Sequence, residues 1–250
     1  MKSWNDILAD VTNKINSLKR PDILFFRGQN KDEALWPLKP KLGRMELSPD
    51  ETKDKEKRLF YDFRNLSGSL LPENQNPWQT VFWMQHHGLP TRLLDWTASF
   101  GAALYFALKD MKEDAMEDAV VWILDPCDLN KKFYKKKYNL YNSDDLPSNY
   151  NYQNIFIDER EKFPASVIAL APERYHSRLF SQSAYFTLHR DLEQGLEEIC
   201  PLALRKIEIP ARLFPEARTF LELSGINEFL LFPDLDGLSR YLKIFHHLND

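Results

Sequence analysis

A chain of 250 residues, 43% of them hydrophobic, is long enough for one large domain or two small ones and rich enough in apolar side chains for a sizeable core. Its formal net charge of −4 gives no general attraction to nucleic acid or to an anionic membrane. Cys127 and Cys200 stand far apart with no CxxC, which argues against a disulfide scaffold or a zinc finger and points to a reducing compartment. The first ten residues are polar, so no secretory signal is visible, and no run approaches the ~18–20 apolar residues of a membrane span. The chain reads as a soluble cytoplasmic protein.

Trp4, Ile7, Leu8, Val11, Ile15 and Leu18 share one helical face, and Pro21 ends the pattern. An N-terminal helix over 1–20 is expected as a lid on the domain. Ile23-Leu24-Phe25-Phe26 is a short continuous apolar run, the mark of a buried strand, and it delivers Arg27-Gly28-Gln29 at its end. A guanidinium held there is permanently charged and suited to bidentate binding of phosphate or carboxylate. The alternative is an internal ion pair, with Asp95 or another carboxylate. Gly28 lets a ligand or another backbone approach closely. Residues 31–48 read as loop, and 49–71 as a helix with Ser48 as N-cap before Pro49. Its charged part, 50–58, is expected to be a solvated face, with Leu59, Phe60, Phe63 and Leu66 buried. Residues 72–77 form a Pro/Asn/Gln linker.

The richest stretch runs from Gln85 to Ala98, QHHGLPTRLLDWTA. A helical pattern with Trp78 and Phe82 precedes it. A second, with Ala98, Ala102, Tyr105 and Phe106, follows it. Gly88 and Pro90 stop one helix from running through, so a loop is expected that carries His86, His87, Thr91, Arg92, Asp95 and Trp96. Such a loop between apolar elements is where a site is expected. The competing interpretation is a satisfied helix junction: Arg92 pairs with Asp95, Trp96 is core, and Asp95 or Thr97 caps the next helix. His86 and His87 are adjacent and diverge on a regular element, so no metal site is expected.

The helix of about 98–111 is lined with alanines suited to close packing on a sheet. Ala119–Leu124 is a strand. Residues 130–162 read as a variable polar insertion in which Lys131–Lys137 surround Phe133 and Tyr134. Lysines among aromatics can hold single-stranded nucleic acid, although a mobile, solvated charge run explains them as well. Further strands are expected from 165, 184 and 202, with Gln182 just before the fourth, and helices over about 212–223 and 236–247. There is no GxGxxG, Walker A, HExxH or GxSxG. The expected fold class is α+β, a mixed or antiparallel sheet core with surrounding helices, within one domain over 1–250.

Phe26-Arg27-Gly28, the Gln85–Thr97 stretch, Ala102–Ala107, Arg178–Gln182 and Leu231–Gly237 together resemble the FRG domain of bacterial and phage proteins. The resemblance covers about 22–130 and 164–245. A more distant resemblance is to ADP-ribosyltransferases, in which an Arg-Gly ends a first strand, a Ser/Thr strand precedes an Ala/Phe-rich helix, and a Glu or Gln precedes a last strand. Arg27, Thr91 and Gln182 fall in that order, with Gln182 where the usual Glu would stand. The resemblance implies an ADP-ribosyltransferase-like fold and NAD as substrate. It implies catalytic roles for Arg27, Thr91, Asp95 and Gln182, and binding roles for Arg27, Gly28, Gln29, Thr91, Arg92 and Trp96. Trp96 or Tyr105 would stack on nicotinamide, and Asp95 or Glu228 would supply the charge that Gln182 lacks. A toxin or anti-phage effector modifying protein or nucleic acid, with an antitoxin-like partner, follows from it. The alternative is a nucleotide- or partner-binding module without turnover.

Overall fold

The computed structural model describes the chain apart from residues 1, 20–22, 32–35, 74, 112–115, 135–139, 143–145, 147–149, 164, 173–180, 247 and 249–250, and apart from the side chains of 133, 134 and 141. Among the described residues seven strands form one sheet: β1 (Phe25–Gln29), β2 (Leu93–Thr97), β3 (Ala119–Leu124), β4 (Tyr141–Asn142), β5 (Val167–Ala171), β6 (Ala184–His189) and β7 (Leu204–Ile209). Their order across the sheet is β4-β5-β6-β2-β1-β3-β7. All pairings are antiparallel except that of the two-residue β4 with β5. The α+β architecture expected from the sequence is the one that forms.

Among the described residues five α-helices precede β4 in the chain, and two of them, the third and fourth, line the site. They are α1 (Trp4–Asn16), α2 (Pro49–Ser67), α3 (Pro77–His86), α4 (Phe100–Leu108) and α5 (Pro126–Tyr134). Four more follow: α6 (Leu196–Ile199), α7 (Phe214–Leu223), α8 (Glu228–Leu231) and α9 (Leu235–Phe245). Local chemistry starts several of them. Ser48 and Glu51 form a reciprocal capping box before Pro49, and Asn76 and Gln79 do the same before Pro77. Ser99, not Asp95 or Thr97, caps α4 by accepting from the Ala102 N–H at 3.1 Å.

Strand β2 corrects the loop expected over 91–97. Leu93 packs with Phe82 and Phe186 on one face, and Leu94 and Trp96 pack with Phe25 and Trp122 on the other. A strand buried on both sides loses the period-two alternation that marks a half-buried one. The polar insertion is corrected too. Tyr152 and, from the π-helical turn Gln153–Ile157, Ile155, Phe156 and Ile157 are core, with Tyr152 stacked on Phe60 at 6.1 Å between ring centroids. The solvated face expected over 50–58 holds two buried residues, Thr52 and Glu56.

One sheet face is covered in two halves. Over β2, β6 and β5 lie the aromatic side chains of α2 and α3, centred on Phe60, Phe82 and Phe186. Over β1, β3 and β7 lie α1, α4 and α7, with Ile7, Ala103, Ala107 and Phe214 buried against Phe26, Ile123 and Ile207. The seam between the halves runs along β1 and β2. At that seam α4 sits very close to β1, because a Cβ on Gly28 would fall 1.8 Å from the Ala103 carbonyl oxygen. Gly28 therefore admits a helix backbone.

Candidate functional site

Strand β1 pairs with β3 over five positions and β2 with β6 over five, but β1 and β2 pair only at Phe26 and Thr97. Beyond that rung the two central strands part. The Arg27 side chain crosses the opening, and its Nη1 donates to the Asp95 backbone carbonyl at 2.8 Å. A cleft of about 350 Å³ lies there. Its polar lining comes from Arg27, Gln85, His86, Asp95, Thr97 and Gln182, and its apolar walls from Phe82, Phe106 and Phe186. Volume and lining suit a small-molecule site, apolar walls with a few convergent polar groups. Arg27 and Asp95, 68 residues apart in sequence, thus meet at one opening.

The electrostatics of the cleft centre on Arg27. Its Nε is shut off from solvent and has no hydrogen-bond partner. Burial pulls the guanidinium down to about 10, with Asp95 opposing the fall and the Arg44 charge adding to it. It stays charged at neutral pH, and through the part of its side chain that lines the cleft it favours an anion or a carbonyl oxygen there. Arg44, which sequence reasoning passed over, senses the same carboxylate. Burial lowers its pKa and Asp95 raises it. It lies 4.6 Å over the Trp36 ring and donates to the Lys39 carbonyl.

The other residues expected at the site fall into three groups. Gly28 and Gln182 line the cleft, with the Gln182 amide donating to the Leu231 carbonyl at 3.0 Å. Thr91 is 1% exposed and reaches the cleft only through Gln85, to whose Oε1 its hydroxyl donates at 2.5 Å. Gln29, Arg92 and Trp96 point their side chains elsewhere. Gln29 is buried between the Trp36 carbonyl and the Trp122 indole. Trp96 contributes to the cleft lining, but its indole lies on the opposite sheet face and donates to Thr187 Oγ1 at 3.1 Å, because alternate residues of a strand face opposite ways. Arg92 is clamped to Glu56, with Nε 2.9 Å from both carboxylate oxygens, and does not pair with Asp95. Tyr105 and Glu228 hydrogen-bond to each other beside Arg240, also outside the cleft. Phe106, one residue on from Tyr105, is the residue of α4 that joins Phe82 and Phe186 as an aromatic wall.

Of the lysine run, Lys131 and Lys132 lie on α5, and Lys132 donates to the Ile199 carbonyl at 2.7 Å. Residues 135–139 lie outside the described residues. Among the described residues no three of His, Cys, Asp and Glu gather as metal ligands, and no helix is long and apolar enough to cross a membrane.

Behind the sheet, His189 is fully buried, and its Nε2 meets the Thr187 hydroxyl at 2.9 Å. Burial pulls it down to about 3, with the Arg27 and Arg92 charges adding to the shift. The unfolded chain takes up this proton near the ordinary value of 6.5 and the folded protein does not. Stability is therefore complete above pH 6.5 and falls on acidification towards pH 3, by ~1.4 kcal/mol per pH unit from this group. Denaturant melts between pH 4 and 7 test it: His189→Asn is expected to flatten the acid limb relative to wild type. Parallel limbs for the two proteins would refute the assignment.

The described residues form an α+β fold with a cleft where the central strands part, an Arg-Gly pair at its rim and aromatic walls. Residues 22–116 match the family model of the FRG domain. The matched segment takes in β1, α2, α3, β2 and α4 and so most of the cleft, but not Gln182, Ala184 or Phe186. No curated protein and no solved structure matches the chain.

Proposed function

We propose that the chain is an ADP-ribosyltransferase-like effector that cleaves NAD in the cleft between β1 and β2 and transfers ADP-ribose to protein or nucleic acid. The observation that carries this reading is the half-buried, permanently charged Arg27 guanidinium that lines the cleft together with Asp95 and aromatic walls. NAD brings partners for each. Its pyrophosphate or carboxamide oxygen suits Arg27, its rings suit Phe82 and Phe106, and its ribose hydroxyls are donors for Asp95. The nicotinamide ring already carries positive charge and leaves readily, and positive charge then develops on the ribose, as in glycoside cleavage. Gln182 is neutral and tied to Leu231, so the offsetting charge is assigned to Asp95. Lys131 and Lys132 on α5 keep a nucleic-acid acceptor in view, and growth inhibition on expression is the phenotype expected of an effector.

Nicotinamide release by the purified protein tests the reading. Arg27→Ala is expected to lower the rate about a hundredfold, the size of one lost charge-stabilising donor. Arg27→Lys keeps the charge without the planar fork and is expected to fall between. A wild-type protein that consumes no NAD overturns turnover. ADP-ribose binding that weakens in Arg27→Ala, with no nicotinamide released, favours the second reading, a nucleotide-binding module. The neutral Gln182 in place of a carboxylate is the observation on that side.

A further inference from the structure

A line of three polar side chains runs from the interior to the cleft. Thr91 is buried in the loop between α3 and β2, and its Oγ1 accepts from the Leu93 N–H at 3.0 Å. With that lone pair engaged, its own proton is directed to Gln85 Oε1 at 2.5 Å. Gln85 is on the last turn of α3. Once its oxygen faces Thr91, its NH₂ faces the other way, onto Asp95 Oδ2 at 2.7 Å. An NH₂ only donates, so the carboxylate it meets is fixed as an acceptor. The loop that carries Thr91 is itself anchored. The Leu89 N–H donates to Met84 O at 2.9 Å, and the Leu42 N–H to Thr91 O at 3.3 Å.

We propose that Gln85 is a positioning residue: braced from behind by Thr91, it holds the Asp95 carboxylate in one orientation at the cleft, as an acceptor for a donor-bearing ligand group such as a sugar hydroxyl. Thr91 on this account touches no ligand and acts at two removes. The ligand side of the proposal rests on the NAD reading above, and the orientation of the carboxylate does not. A side chain that merely packed the end of α3 needs neither the amide nor the buried hydroxyl. The order of polarity matters here: a carboxylate at position 85 presents oxygen to oxygen, and a methyl at position 91 leaves the amide free to rotate.

Two measurements on the full chain decide it separately. In the first, without ligand, side-chain amide hydrogen exchange of Gln85 is followed by NMR. It is expected to be about tenfold slower than that of the exposed Gln194. Thr91→Val and Asp95→Ala are each expected to abolish the protection, and Thr91→Ser to restore it by keeping the hydroxyl. Gln85 protons that exchange as fast as those of Gln194, or that ignore Thr91→Val, overturn the proposal. The second is nicotinamide release in a double-mutant cycle. Gln85→Leu is expected to lower the rate about tenfold beside wild-type Asp95 and to change it little beside Asp95→Ala. An equal loss in both backgrounds means that Gln85 does not act through Asp95. If no variant releases nicotinamide, the NAD reading falls and the exchange experiment alone decides the role of Gln85.

Discussion

Glu56→Ala is expected to lower the unfolding free energy by about 3–5 kcal/mol, the cost of stranding a buried charge whose partner is removed. Glu56 is 2% exposed. Its carboxylate receives Arg92 Nε at 2.9 Å, Arg92 Nη2 at 2.8 Å and the Tyr152 hydroxyl at 2.6 Å. Burial disfavours the Arg92 charge, and the neighbouring carboxylate outweighs it and holds the guanidinium above its usual range. Truncating Glu56 leaves that cation with the Arg190 carbonyl, the Phe156 ring and the more distant Glu159 charge, and takes from the Tyr152 hydroxyl the acceptor it has in Glu56. Urea melts of Glu56→Ala, Arg92→Met and the double variant separate the contributions. The pair replaced together is expected to cost less than Glu56→Ala alone, since no unpaired charge remains. A loss below about 1 kcal/mol for Glu56→Ala would show that water reaches the pair and screens it.

Gly28→Ala is expected to cost about 3 kcal/mol or more, at the upper end of what overpacking costs, because the obstruction is backbone. The added Cβ falls 1.8 Å from the Ala103 carbonyl oxygen and 2.7 Å from the Ala107 nitrogen, and neither is a side chain that can rotate away. Helix α4 has to lift off β1. That shift breaks the contact of Ala103 and Ala107 with the sheet and carries Phe106, a wall of the cleft, with it. Thermal stability and, on the NAD reading proposed above, nucleotide binding are therefore expected to fall together. A variant with wild-type stability would mean that α4 docks more loosely than this geometry requires.

These expectations differ in how visible they were beforehand. Gly28 beside Arg27 at the end of an apolar run was readable, and so was the small-residue face of α4, because strands and helices announce themselves by period and composition. The use of that glycine was not: only the docked helix distinguishes a ligand's approach from a backbone's. The Ser48 cap was legible in the same way; the box that Asn76 closes with Gln79 was passed over as linker, although it spans only three residues. Glu56 was not legible, because a charged run looks solvated until something covers it. What covers it is Tyr152, 96 residues on in the sequence, in a segment whose Asn, Ser and Lys content disguised it. His189 gave no local signal either. Its isolation follows from lying in the sheet near two guanidiniums.

The central stretch draws the line most sharply. By itself the sequence determined that Gln85, Thr91, Arg92, Asp95 and Trp96 stand close together after a helix break, and that Arg27 ends a buried strand. It determined these because a run of side chains and a change of period are local properties. Only the tertiary structure decided which of them share a cleft. Leu93–Thr97 is extended, not looped, and Arg92 lies in the bend just before it, where its side chain meets Glu56 while Asp95 lines the cleft, so the two part company. The single rung between Phe26 and Thr97 then opens β1 from β2, and Arg27 spans that gap to Asp95. Charges choose partners by distance in space, and that distance is set by strand register and helix docking, which depend on contacts scattered along the whole chain.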